Sequence, residues 1–360
     1  MFFRFSIFIL VFIACKPDKI YPEFVSSSEH LSVRHDTAFT THLDSHIQQF
    51  MQSSGCPGIT VVAVQDQQIL LNKSYGLRST TATDSIDNLT LFRLGSVSKG
   101  FTGMLAAILV EKGFFSLDDA VADYLPECRI RAKSKDGILR VGHLLSQSTG
   151  FTEHAYSNLV DMNHPREVLY NYIMKLQPRD STGIDYAYQN VAFGLIEGII
   201  EKSTGLTFEQ AMDQYLFSPL GMCHSSCTYH AYLSSPNRCT GHTGRAPGTF
   251  AATQLKPNYY NLPSAGGINA NGQDMIIWLK ALLGAYPEVM NPNAVKLAFT
   301  PFVNTGRDDR FFNVWPEVTE SHYGLGWRII KTPHRTIAYH GGLVNHFRTE
   351  IAIDQQNHTG

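Results

Sequence analysis

Ser96 and Lys99 stand three residues apart in the string LGSVSKGFTGMLAAILVEKG, a spacing that brings a hydroxyl and an amine onto one helix face. A serine hydroxyl is a weak nucleophile at neutral pH until a base takes its proton, and a desolvated neutral lysine can serve as that base. The pair is therefore a candidate centre for acyl transfer. On its own the spacing is weak, because two common residues at a fixed separation arise by chance about once or twice in a chain of this length. The competing reading is a surface serine and lysine on an ordinary helix.

The elements that would hold such a pair are visible in the pattern. From Ser98 to Gly113 the residues Phe101, Met104, Leu105, Ile108 and Leu109 form an apolar stripe, and Gly113 suits a helix stop. A buried helix is therefore expected, with Ser96 at its start, where unpaired backbone donors favour developing negative charge. Leu43, Ile47, Phe50 and Met51 have helical spacing, and GITVVAVQDQQILLNKSYGL reads as two strands joined by a hairpin. Further helices are predicted at Pro165–Leu176, in VAFGLIEGIIEKSTG and in FEQAMDQYLFSPLGM, so that residues 110–250 read as mostly helical. Strand character returns in YGLGWRIIK from Tyr323, RTIAYHGG from Arg335 and FRTEIAIDQ from Phe347. Strands at both ends with helices between them predict an α+β fold, with one central antiparallel sheet, flanking helices and an inserted, mostly helical lobe. The loops TGHTGRAPGT and NLPSAGGINANG are expected to border a cleft.

With 29 basic and 31 acidic residues the chain has no cationic surplus and no basic stripe, which argues against a nucleic-acid partner. Residues 1–14, MFFRFSIFILVFIA, carry one cation at Arg4 and an apolar run too short to span a bilayer, the pattern of a secretory signal. Phe12-Ile13-Ala14-Cys15 resembles a bacterial lipoprotein processing site, so Cys15 is expected to carry lipid and residues 15–40 to form a tether. The alternative is an ordinary cleaved signal with an incidental cysteine. Export to the bacterial cell envelope, with a membrane contact through lipid at Cys15, follows from this reading.

Five cysteines remain, Cys56, Cys128, Cys223, Cys227 and Cys239, an odd number for an oxidising compartment. The run Cys223, His224, Cys227, His230, Cys239 and His242 invites a zinc reading, but its spacings match no closed metal site, and a local disulfide or buried thiols are expected instead. No metal or cofactor is predicted.

Three strings occur in order: Ser96-Val97-Ser98-Lys99, Tyr188-Gln189-Asn190 and His340-Gly341-Gly342. Together they resemble the serine β-lactamase and penicillin-binding-protein superfamily, in its class C-like, esterase-containing branch. GFFSLDDAVADYLPE, VGHLLSQSTGF, LFSPLGMCHSS, PSAGGINANGQDMIIWLKALL and YGLGW share the likeness, which spans residues 41–360. It implies that Ser96 attacks a carbonyl to form an acyl-enzyme while Lys99 and Tyr188 share proton transfer, the principal base being open between them. Asn190 would hold the lysine and a substrate amide. His340, Gly341 and Gly342 would line the cleft, where two glycines let a substrate backbone approach. The backbone donors of Ser96 and Leu343 would form the oxyanion hole. The competing readings make Tyr188 a core aromatic beside Tyr186 and His340 a turn histidine.

Two departures from the family pattern matter. β-Lactamases and transpeptidases usually have lysine where this chain has His340, which is largely neutral above about pH 6.5. Recognition of an anionic substrate should then be weaker and pH-sensitive, favouring an esterase, an amidase or a D-amino-acid peptidase over an efficient penicillin hydrolase. The family pattern also continues past the strand at FRTEIAIDQ into one more strand and a long helix, whereas this chain reaches Gly360. The fold expected is thus one lacking the last strand and C-terminal helix, with an unpaired sheet edge and an uncovered apolar face. A small-molecule or peptide acyl donor is the partner predicted. The runner-up is a non-catalytic protein that binds cell-wall peptide, or an inactive truncated product. An α/β-hydrolase is excluded because no Gly-x-Ser-x-Gly surrounds Ser96 or Ser98.

Overall fold

A computed structural model describes residues 37–360, apart from residue 245 and residues 307–316. The signal assigned to residues 1–14, Cys15 and the tether as far as residue 36 lie outside the described residues. Helix α1 (Thr37–Ser54) starts before the predicted end of the tether, so residues 37–40 belong to the helix. It leads into the antiparallel hairpin β1 (Gly58–Gln65) and β2 (Gln68–Gly76). The turn residues Asp66 and Gln67 have φ of 47° and 66°, a doubly left-handed turn whose twist matches that of paired strands.

After the short β3 (Phe92–Arg93) comes a 3₁₀ turn over Gly95–Val97 and then α2 (Ser98–Glu111). The lobe follows as α3 (Val121–Tyr124), α4 (Val141–Leu145), α5 (Ser157–Asp161), α6 (Arg166–Ile173), the long α7 (Asn190–Thr204), α8 (Phe208–Met212), α9 (Ser218–Leu220) and α10 (Tyr229–Ser234). A small ribbon of β4 (His242–Thr243) and β5 (Ala251–Ala252) ends it. α7 forms as VAFGLIEGIIEKSTG predicts, and α8 continues through a π-helical stretch, Asp213–Phe217, directly into α9, as FEQAMDQYLFSPLGM predicts; α6 is shorter than Pro165–Leu176, and loops separate the remaining helices. The chain returns through α11 (Pro263–Gly266), β6 (Asn269–Ala270), α12 (Gly272–Leu282) and α13 (Pro292–Ala298). It then forms β7 (Val303–Asn304), β8 (Glu320–Tyr323), β9 (Arg328–Lys331), β10 (Thr336–Val344) and β11 (Phe347–Asp354).

These last five strands make an antiparallel meander in the order β11-β10-β9-β8-β7. The first hairpin joins the same sheet through residues 358–360. Val64 and Gly360 exchange backbone hydrogen bonds of 2.8 and 2.9 Å, and Thr359 bridges both Gln65 and Asp354. The predicted sheet built from distant segments is thus present.

One local expectation fails. YGLGWRIIK is not one strand: Tyr323 ends β8, Arg328 starts β9, and Gly324-Leu325-Gly326-Trp327 turns between them, with Gly324 N–H donating to the Trp327 carbonyl. α2 is the buried helix that its apolar stripe predicts, with every residue from Ser98 to Leu109 buried. The helix runs through the middle of the core and is covered all round. Phe101 stacks on Trp278 with centroids 3.9 Å apart, a contact of the kind whose truncation to alanine costs about 3–5 kcal/mol. On another face Gly103 admits the β8–β9 turn, because a Cβ there would lie 1.7 Å from the Leu325 carbonyl oxygen. A side chain at Gly103 would push this turn, and β9 with it, away from the helix.

Candidate active site

Ser96 sits in the 3₁₀ turn that feeds α2 and is half-buried, while Lys99 lies in the first turn of α2 with no exposed surface. Residues three apart eclipse in a 3₁₀ turn, so the two side chains still share a face, with Lys99 Nζ 3.4 Å from Ser96 Oγ. Ser98, the other serine of the string, is wholly buried and its Oγ accepts a 3.0 Å hydrogen bond from Ile268 N–H. It holds β6 to α2 and does not face a substrate.

Lys99 is fixed by two acceptors. Its amine donates to Asn190 Oδ1 at 2.7 Å and to the Ala265 carbonyl at 2.7 Å. Burial, and then the Arg328 cation, push the amine well below the usual lysine range, favouring its neutral form. A neutral amine has two N–H donors and one lone pair. With both donors taken by Asn190 and Ala265, the lone pair is left for the hydroxyl of Ser96.

Tyr188 lies just ahead of α7, and its hydroxyl is hydrogen-bonded to Ser96. The Lys99 amine is 4.7 Å from its ring centroid and the Arg328 guanidinium carbon 5.5 Å. Burial raises the phenol to about 12 against the opposing effects of Arg328 and the Ser96 bond, so it keeps its proton at neutral pH. Asn190 opens α7, immediately after the extended Gln189. Besides accepting from Lys99, it donates through Nδ2 to Tyr259 Oη at 3.2 Å and Ser157 Oγ at 3.4 Å. One amide therefore ties the lysine to α5 and to the segment that leads into α11.

His340, Gly341 and Gly342 lie on β10, which packs against the 3₁₀ turn of Ser96. At Gly342 a Cβ would sit 2.1 Å from the Leu94 carbonyl oxygen and 3.0 Å from Ser96 N, and at Gly95 one would sit 2.8 Å from Leu343 N. The backbone amides of Ser96 and Leu343 thus meet at one glycine-lined junction, while the Leu343 side chain points outward and is 65% exposed. His340 is in mid-strand, not in a turn, and is completely buried. Its Nδ1 donates to the Gly341 carbonyl at 2.7 Å, so Nε2 accepts from the Tyr323 hydroxyl at 2.9 Å. Burial, with the Arg328 cation adding to it, drives the imidazole well below its ordinary range. His340 is consequently neutral around pH 7, and the titration expected of it near pH 6.5 moves to lower pH.

The structure thus brings Ser96, Lys99, Tyr188 and Asn190 into one hydrogen-bonded group, with β10 alongside. Sequence reasoning missed Ala265, Tyr259 and Tyr323. Ala265 contributes only a carbonyl, which no residue type announces, although PSAGG drew notice as a supporting string. Tyr259 and Tyr323 act on Asn190 and His340 from segments whose proximity only the fold reveals. The cysteine and histidine run does not assemble into a metal site: among the described residues no group of three or more His, Cys, Asp or Glu is placed to hold one. No disulfide joins the described cysteines, and Cys128, Cys227 and Cys239 are buried thiols. Among the described residues no helix is long and apolar enough to cross a membrane.

The fold is that of the serine β-lactamase and penicillin-binding-protein superfamily. Within it, the chain belongs to the β-lactamase family, whose model matches residues 43–360. A β-lactamase of Yersinia enterocolitica is 27% identical over 293 residues, covering 81% of this chain and 70% of that protein. Protein flp of Staphylococcus aureus (strain MW2) is 21% identical over 323 residues, covering 88% of this chain but only 61% of its own length. In fold the chain is similar to the octameric penicillin-binding protein homologue from Pyrococcus abyssi, with a TM-score of 0.78 at 22% identity, over 89% of this chain and 72% of that one.

Proposed function

We propose that the protein is a serine hydrolase that forms an acyl-enzyme on Ser96 and cleaves an ester or amide. The observation that carries this reading is the Lys99 amine, held at 2.7 Å by both Asn190 and Ala265 and 3.4 Å from Ser96 Oγ. Lys99 takes the proton of Ser96 as Oγ bonds to the substrate carbonyl carbon, and the backbone donors of Ser96 and Leu343 stabilise the oxyanion that results. Collapse breaks the bond to the leaving group, which receives a proton from Tyr188, and Lys99 returns one to the phenol. Water then adds to the acyl carbon by the same route, releasing the acid and restoring the Ser96 hydroxyl. Lys99 is the base and Tyr188 the proton donor, because burial lowers the one and raises the other.

A neutral, buried His340 offers no fixed charge to a substrate carboxylate, which favours ester, amide or D-amino-acid peptide donors over rapid turnover of penicillins. With this reading goes export through residues 1–14 and lipid attachment at Cys15, tested by membrane fractionation of a Cys15→Ser variant. The activity itself is tested by intact mass after incubation with a penicillin, a cephalosporin, a short-chain aryl ester and a D-alanyl peptide. An adduct lost in Ser96→Ala and kept in Ser98→Ala supports it. Absence of any adduct on the unmutated protein favours the binding-protein alternative.

A further inference from the structure

Glu197 is a buried carboxylic acid that the mechanism above does not use. It lies on α7 seven residues after Asn190, two helical turns or about 10.5 Å along the same face. Its side chain has no exposed surface. Oε1 accepts two hydrogen bonds from one residue, Ser264: from the backbone N–H at 2.9 Å and from Oγ at 2.5 Å. Ser264 is in α11, and the next residue is Ala265, whose carbonyl holds the Lys99 amine. The Ser264 carbonyl in turn accepts from Thr102 Oγ1 at 2.9 Å, one turn beyond Lys99 on α2. Helix α7 therefore reaches Lys99 twice, directly through Asn190 and indirectly through Glu197, Ser264 and Ala265.

We propose that Glu197 is a positioning residue for Lys99: by gripping Ser264 at two atoms it fixes the Ala265 carbonyl, and so the direction in which the lysine lone pair points. This rests on the reading of Lys99 as the base for Ser96. α11 is a single short turn, and its own hydrogen bonds are too few to define the carbonyl. Close packing supports the grip, because α7 approaches the segment before α11 with Gly194, where a Cβ would lie 2.2 Å from Leu262. The other groups facing Glu197 are consistent with a carboxyl dedicated to Ser264. Arg166 on α6 is 3.4 Å from Oε2, but it makes its stronger bonds, at 2.6 and 3.0 Å, to Glu201. Tyr170 on the same helix and Cys227 after α9 feel the Glu197 charge, and Glu209 on α8 opposes its ionisation.

A purely structural carboxyl and a positioning one differ in what glutamine does. In Glu197→Gln the amide oxygen can still accept from both Ser264 donors, whereas Glu197→Ala frees Ser264 altogether. The test uses the full chain with its lysines labelled at ¹³Cε, the Lys99 signal being identified by its loss in Lys99→Arg. In Glu197→Ala the Lys99 signal and its titration midpoint should move, and in Glu197→Gln both should stay at their native values. With whichever donor labels Ser96, acylation should slow by about tenfold or more in Glu197→Ala at little changed KM, and recover in Glu197→Gln. Ser264→Ala, which removes one donor and leaves the backbone N–H, should shift the signal in the same direction by less, and it stands in for Glu197→Ala if that variant does not fold. An unmoved Lys99 signal in the alanine variant that folds, or a glutamine variant displaced as far as the alanine one, overturns the proposal. If no donor labels the unmutated protein, the hydrolase reading fails, while the lysine spectra still decide the role of Glu197.

Discussion

The Lys99 amine lies 2.7 Å from the carbonyl oxygen of Ala265, a residue 166 positions further along the chain. That contact, with the equal one to Asn190, turns a buried lysine into a directed base. An arginine at position 99 would keep the donors but bring a permanent charge and have no lone pair to offer. Lys99→Arg should lose about 10²–10⁴-fold in the rate of Ser96 acylation. Growth of the adduct mass with time measures it, and a rate close to that of the unmutated protein would show that another group takes the proton.

Tyr188 should matter most when the leaving group is poor. Its phenol is raised to about 12 by burial and stays protonated while bonded to Ser96, which suits donation to a departing amine. Tyr188→Phe should lower acylation by an amide donor by about 10²-fold or more, and by an activated aryl ester much less, because that leaving group needs no proton. Equal losses with both donors would place the tyrosine in a different role.

At Gly342 the expected effect is on chemistry rather than on folding. A methyl group there would meet the Leu94 carbonyl at 2.1 Å and Ser96 N at 3.0 Å, so β10 must move away from the nucleophile turn. Gly342→Ala should cost about 10²–10³-fold in acylation, the usual loss when one oxyanion donor is displaced. Circular dichroism should still report a folded protein; an active variant would show that the amides of Ser96 and Leu343 do not work as a pair.

Much of this arrangement was legible in the sequence, for reasons particular to each element. The β1–β2 hairpin is a local object, declared by two runs rich in Val, Ile and Leu around Gln65-Asp66-Gln67-Gln68, and it forms as read. Ser96, Lys99, Tyr188 and Asn190 could be picked out because their chemistry resides in side chains at short spacings. Two features escaped. The break in YGLGWRIIK depends on Gly103 of α2 receiving the turn, a contact between distant segments. The neutrality of His340 arises from complete burial and from the Arg328 cation nearby, whereas the sequence showed only an imidazole with its ordinary titration range.

Tyr323 and His340 form a buried pair in which the phenol donates to Nε2 at 2.9 Å. Removing the hydroxyl leaves a buried acceptor without its partner. Tyr323→Phe should therefore destabilise the fold by about 1–3 kcal/mol, seen as a lower denaturant midpoint at unchanged slope. A phenylalanine variant as stable as the native chain would mean that this nitrogen finds another donor.

Glu197 should leave its mark on stability as a function of pH. Burial raises its carboxyl from 4.5 to about 7, against the lowering effect of its bonds to Ser264. In the unfolded chain it ionises near pH 4.3, so between roughly that pH and 7 the folded state binds a proton that the unfolded state has released. The stability due to this group is fully present below the unfolded value and is lost as pH rises through the folded one. The buried His340, with its lowered value, works in the opposite sense below about pH 6.5, which is why the contribution of Glu197 must be read as a difference between variants. Glu197→Gln has no proton to lose, so raising the pH from 5 to 8 should weaken the native protein relative to it, by up to about 3 kcal/mol. Urea unfolding of both proteins at the two pH values supplies the four free energies, and parallel pH dependences would mean that Glu197 is ionised in the fold at pH 5.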